Sequence, residues 1–78
     1  MEILTEAEVR AIREVTDALG LDWNHVVVPL AAREGGLEMI LPDGKLLIRA
    51  PAGPAFGPWR AGLRERLERM DLGRTPRA

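Results

Sequence analysis

His25 is the residue whose type points most directly to chemistry, because imidazole is the usual side chain for proton transfer near neutral pH. It is the only histidine of the chain, and Asp22 precedes it by three residues. A strand in this region would hold the two side chains too far apart for a catalytic relay. The chain also lacks serine and cysteine, so the common nucleophiles are absent. We therefore expect His25 to be a packing or surface residue, with no catalytic or metal-binding role.

Glycine pairs and carboxylates are the other patterns with chemical meaning. Gly35-Gly36 and the later pair Gly53 and Gly57 lack the Lys-Ser/Thr of a phosphate-binding loop. Glu6, Glu14 and Asp17 of the first predicted helix have arginines four residues away, which is typical of a solvated helix face. The sequence therefore predicts no enzymatic activity, no cofactor and no small-molecule substrate.

The basic side chains could bind phosphate. The net charge is −1, but residues 1–44 carry −6 and residues 45–78 carry +5. Such asymmetry is typical of a nucleic-acid surface or of a complementary protein contact, although it also disappears when two halves fold together. Weak, salt-sensitive nucleic-acid binding is the alternative function, and its predicted contacts are Lys45, Arg49, Arg60, Arg66, Arg74 and Arg77.

Length and composition limit the class of protein. Seventy-eight residues form one domain, predicted over residues 1–73, with residues 74–78 as a flexible tail. The absence of cysteine excludes disulfides. No apolar run reaches the roughly 18 residues of a membrane span, and no signal peptide is recognisable, so we expect a cytoplasmic protein. Ten arginines against one lysine fit a GC-rich genome or a thermophile.

The first helix is predicted over residues 5–19. Thr5 and Glu8 have the spacing of a capping box, in which each side chain bonds the backbone of the other. Apolar residues recur at helical spacing from Val9 to Leu19, and Gly20 provides a stop.

A hairpin is predicted over Leu37–Ala50, where Pro42-Asp43-Gly44-Lys45 separates two apolar runs. A four-residue loop would pair Leu41 with Leu46. It would place Glu38 beside Arg49 as a cross-strand ion pair. A three-residue loop with a glycine bulge would instead pair Leu41 with Lys45. We prefer the four-residue loop, because it keeps Lys45 and Arg49 off the apolar face.

The three valines from Val26 to Val28 favour a further strand, and Pro29 predicts that this strand lies at a sheet edge. A tight turn at Gly35-Gly36 would pair it with the Leu37 strand, which would then be central. The competing interpretation makes residues 29–34 a short helical turn that ends at Gly35.

The last third of the chain is predicted to be a stiff connector followed by a helix. Three prolines lie between residues 51 and 58, and Gly57-Pro58 has the pattern of a helix start. One apolar stripe follows, and Gly73 would end the helix. Its members are Trp59, Leu63, Leu67 and Met70.

The predicted fold class is α+β, in the order α-β-β-β-α. A three-stranded antiparallel meander of order 1-2-3 carries two amphipathic helices on one face. In this register apolar side chains also lie on the opposite, outer face. They predict protein–protein interaction, either self-association as a homodimer or homo-oligomer or binding of a protein partner. The predicted interface residues are Val27, Ala31, Ile40 and Leu47.

Overall fold

A computed structural model describes residues 2–70. The fold is α+β, with three helices, three strands and two short 3₁₀ turns at Trp23–His25 and Gly53–Ala55. The helices are α1 (Glu6–Ala18), α2 (Phe56–Ala61) and α3 (Leu63–Arg69). The strands are β1 (Val26–Val27), β2 (Leu37–Ile40) and β3 (Leu46–Arg49). One sheet contains all three strands in the order β1-β3-β2.

The first helix confirms its sequence prediction. The Glu8 N–H donates to Thr5 Oγ1 over 3.1 Å, and the Thr5 N–H donates to Glu8 Oε1 over 2.8 Å. This capping box satisfies two backbone donors that the helix itself leaves without partners. Ile12 is fully buried, while Val9, Val15 and Leu19 pack against the same core.

The predicted strand order is wrong. β3 is central: it pairs with β2 in antiparallel orientation and with β1 in parallel orientation. The Gly35-Gly36 turn does not close a hairpin. Both glycines have positive φ, and the chain crosses beside the end of β3, where the Arg33 N–H donates to the Ala50 carbonyl over 2.9 Å. The mixed sheet therefore replaces the antiparallel meander.

The predicted hairpin register is also wrong, by one residue. The Leu41 N–H donates to the Lys45 carbonyl over 2.8 Å, and Gly44, at φ 88°, forms the bulge of a three-residue loop. Glu38 therefore pairs with Ile48, and Met39 pairs with Leu47. Because strand side chains alternate between faces, this shift turns Glu38 inward and Met39 outward.

Residues 29–34 form neither a continuous strand nor a helical turn. Ala31 makes an isolated antiparallel bridge with Ile3. On either side of this bridge, the Leu4 N–H donates to the Leu30 carbonyl and the Ala32 N–H to the Glu2 carbonyl. The N-terminal segment therefore supplies backbone partners to a stretch in which Pro29 has no N–H to offer.

The second predicted helix is divided at Gly62 into α2 and α3, and it begins at Phe56 rather than at Pro58. Its predicted stop at Gly73 and the predicted tail over residues 74–78 lie outside the described residues. The apolar stripe is confirmed, since Leu63 and Leu67 are fully buried and Trp59 and Met70 pack against the core. All three helices contribute to this core on one face of the sheet, together with Leu46, Ile48 and Ala50.

Gly36→Ala tests the contact between the β2 entrance and α2. An added Cβ would clash with Trp59 Nε1 and Cδ1, whereas the same addition at Gly35 meets nothing within 4 Å. Both positions have positive φ, which costs an alanine about 1–2 kcal/mol. We expect Gly35→Ala to lose about that much, and Gly36→Ala to lose about 1–3 kcal/mol more through overpacking. Urea denaturation of the two variants measures the difference, and equal losses would contradict the contact.

Candidate functional site

The outer face of the sheet, opposite the helices, carries an apolar row that crosses all three strands. Val27 on β1 and Met39 on β2 are both direct partners of Leu47 on β3. Paired strand residues point to the same face, so these three side chains lie side by side. Met39 is 40% exposed. We call Val27, Leu47 and Met39 the outer row.

Two cations flank the outer row, Lys45 directly before β3 and Arg49 at its last position. Lys45 and Arg49 lie two residues on either side of Leu47, so both share its face. Neither forms a salt bridge within residues 2–70. Arg49 Nε is buried and has no hydrogen-bond partner there. The outer face is therefore apolar at its centre and positively charged at two points along β3.

The predicted interface residues lie at three different places. Val27 and Leu47 are neighbours on the outer face. Ile40, however, pairs with Leu46 and packs against the core, because the register differs by one residue. Ala31 lies outside the three-stranded sheet, in the bridge with Ile3. Sequence reasoning missed Met39, which the rejected three-residue loop would have placed on this face.

The predicted nucleic-acid contacts do not form one surface. Lys45 and Arg49 lie on the outer face, while Arg60 is exposed on α2 in the helical layer. Arg66 Nε donates to Glu38 Oε1 over 2.7 Å, so its charge is already paired. Arg74 and Arg77 lie outside the described residues.

Behind the outer face, Glu38 and Arg66 join the sheet to α3. The Glu38 side chain is only 10% exposed, and Arg66 also donates to the Trp59 carbonyl over 2.9 Å. The guanidinium lies 5.3 Å from the centre of the Trp59 ring, within the range of a cation–π contact. We call Glu38, Arg66 and Trp59 the edge clamp, because together they hold the edge strand β2 to the helices.

The prediction that a strand holds Asp22 and His25 apart is wrong, because the 3₁₀ turn Trp23–His25 brings the two side chains together. His25 lies at the end of this turn, directly before β1. Its Nδ1 atom is 3.3 Å from Asp22 Oδ2. The Asp22 side chain also accepts from the Asn24 N–H over 3.0 Å and so caps the short turn. Within the described part of the chain, no group of three or more His, Cys, Asp or Glu side chains could hold a metal ion.

The surface of the described residues includes two open depressions. One, of about 400 Å³, lies between Glu2, Glu34 and the Pro51–Ala55 segment. The other, of about 540 Å³, is formed by residues 39–44 at the end of β2 and the hairpin loop. The second depression adjoins Met39 and so continues the outer row to the side of the sheet.

None of the helices in residues 2–70 is both long enough and apolar enough to cross a membrane. No protein-family model, curated protein or solved structure matches this chain.

Glu38→Gln tests the edge clamp. The change removes the charge of a nearly buried carboxylate that accepts from Arg66, and hydrogen bonds to charged groups contribute about 1.5–3 kcal/mol. Glu65→Gln is the matched control. Glu65 Oε1 lies 2.6 Å from Arg69 Nη2, a distance similar to that of the Glu38–Arg66 pair, but the Glu65 side chain is 69% exposed and the Arg69 side chain 75%. We expect Glu38→Gln to lower the free energy of unfolding by about 1–3 kcal/mol and Glu65→Gln by less than about 1 kcal/mol. Equal effects in thermal or urea unfolding would contradict this assignment.

Proposed function

We propose that this protein is a non-enzymatic interaction module that docks another protein on the outer face of its sheet. The observation that carries the proposal is the outer row, whose three side chains pack outside the helix-side core, with Val27 and Leu47 half-buried and Met39 exposed. An apolar centre with charges around it is typical of a protein contact surface.

The size of the face indicates the strength of the contact. Four residues along the strands and three strands across span about 13 Å by about 10 Å. A contact of this size buries roughly a few hundred Å² of accessible surface on each partner. This area is well below the ~800 Å² per partner of a stable complex. The proposed complex is therefore transient, unless the partner also reaches beyond the sheet.

Charge identifies the chemistry of the partner. Two copies of the chain stacked face to face would bring the cations Lys45 and Arg49 against the same cations, and like charges across an interface are repulsive. A partner that presents apolar side chains flanked by Asp or Glu would pair with both cations. We therefore assign the face to an acidic, apolar segment of a different protein.

Lys45 makes a direct test available, because it is the only lysine of the chain. A carbodiimide joins an amine to a carboxylate that it contacts. In a lysate of the source cells, we expect it to link Lys45 to Asp or Glu of a partner. Leu47→Asp should abolish the Lys45 cross-link, because it removes the centre of the outer row and adds a competing anion.

Leu30→Asp is the matched control, since Leu30 is 54% exposed but lies outside the three strands. This variant should keep the Lys45 cross-link. Circular dichroism of both variants checks that each is folded, so that loss of the cross-link reports the outer face and not unfolding. Absence of any Lys45 cross-link to another protein, or its equal loss in the two variants, would reject the proposal.

Nucleic-acid binding makes a different prediction. The outer face offers two cations, and neutralising two phosphates gives a slope of about −1.8 in log K against log salt. We expect no retention of mixed-sequence RNA or DNA at about 50 mM salt in a gel-shift assay. Retention that weakens with salt and is lost in Lys45→Glu would instead assign the face to phosphate.

A further inference from the structure

The outer edge of β2 leaves backbone groups without partners. β2 is at one side of the sheet, and the Leu41 N–H points toward β3 because it donates to the Lys45 carbonyl. Backbone groups alternate in direction along an antiparallel strand, so those of Glu38 and Ile40 point away from β3. No group within residues 2–70 forms a hydrogen bond to them.

This edge has only part of the usual protection against strand pairing. Edge strands are commonly protected by a short length, a lysine, a proline, a bulge, an inward-pointing charge or a covering helix or loop. β2 contains no lysine or proline, and Glu38, its one charge, is neutralised by Arg66 on the core side. The open depression formed by residues 39–44 leaves space beside the strand end.

The sequence of β2 allows one favourable antiparallel register with a second copy of itself. Placing Glu38 opposite Glu38 of the second copy sets like charges directly against each other. Placing Ile40 opposite Ile40 sets Glu38 opposite Pro42, which has no N–H to donate. Only the intermediate register, with Glu38 opposite Ile40 of the second copy, avoids both conflicts.

We propose that two copies of the chain pair along their β2 edges in this intermediate register. Glu38 and Ile40 of each chain then exchange four backbone hydrogen bonds about a two-fold axis, with Met39 opposite Met39 of the second copy. The result is a six-stranded sheet. The outer rows of the two chains become continuous, and the docking face is doubled rather than covered.

The contact is small, so the dimer forms only at high concentration. Pairing of two four-residue strands buries roughly a few hundred Å² of accessible surface, which is in the range of weak, transient contacts. A covalent trap is therefore a sharper test than a measurement of mass. The chain contains no cysteine, so a single substitution introduces its only thiol.

Met39→Cys tests the two-fold axis. In the proposed register the Met39 residues of the two copies lie opposite each other as a non-hydrogen-bonded pair. Their Cα atoms are then about 4.5 Å apart, which is within the range of a disulfide. Leu47→Cys is the matched control, because three strand spacings would separate its two copies by about 14 Å. Leu47→Cys also reports face-to-face stacking. We expect Met39→Cys to form disulfide dimers at least ten times faster than Leu47→Cys at equal concentration.

Leu37 and Leu41 test the register itself. Leu37 lies opposite Leu41 of the second copy, so neither Leu37→Cys nor Leu41→Cys alone should cross-link quickly. A mixture of the two variants should form the mixed disulfide. Edge pairing in this register is overturned if Met39→Cys forms disulfide dimers no faster than Leu47→Cys. It is also overturned if the mixture of Leu37→Cys and Leu41→Cys forms disulfides no faster than each variant alone. Neither result bears on the Lys45 cross-link, so docking on the outer face is tested separately.

Discussion

The ion pair between Glu38 and Arg66 determines how the rest of the molecule is arranged. A carboxylate on the core side of a sheet is costly to desolvate unless a cation reaches it. Arg66 reaches it from α3 and is itself held by the Trp59 carbonyl and ring. A slip of β2 by one residue would separate Glu38 from this cation and turn it to solvent. The charge pair and the strand register therefore support each other.

The same ion pair also determines the chemistry of the outer face. Since Glu38 points inward, β2 presents only Leu37 and Met39 on the outer side. The glutamate that could have neutralised Arg49 across the hairpin is thus committed to the helices. The outer face keeps its cations and has no anion from β2. A contact that stabilises the fold therefore also leaves Arg49 without an anion across the hairpin.

Local patterns in the sequence predicted the elements, while distant contacts decided their arrangement. The capping box of α1 and the inner residues Leu46 and Ile48 could be read from spacing alone. The predicted register is wrong because the pattern favours an apolar face free of Lys45 and Arg49, whereas a face that bears these cations is acceptable where it contacts solvent. Arg66, the partner of Glu38, lies 28 residues away, so no local pattern could indicate it. The parallel pairing of β1 was hidden by a glycine turn that resembled a hairpin.

The parallel pair of β1 and β3 has a consequence for the order of folding. β2 and β3 are joined by a three-residue loop, whereas Val26 reaches its partner Leu46 across twenty residues of chain. Closing a short loop costs less entropy and occurs sooner. We expect the hairpin to form first and β1 to add later with the N-terminal bridge. Until β1 adds, β3 has no partner strand on its second side, so the folding chain has two open sheet edges. The chain is therefore most prone to aggregate before β1 pairs with β3.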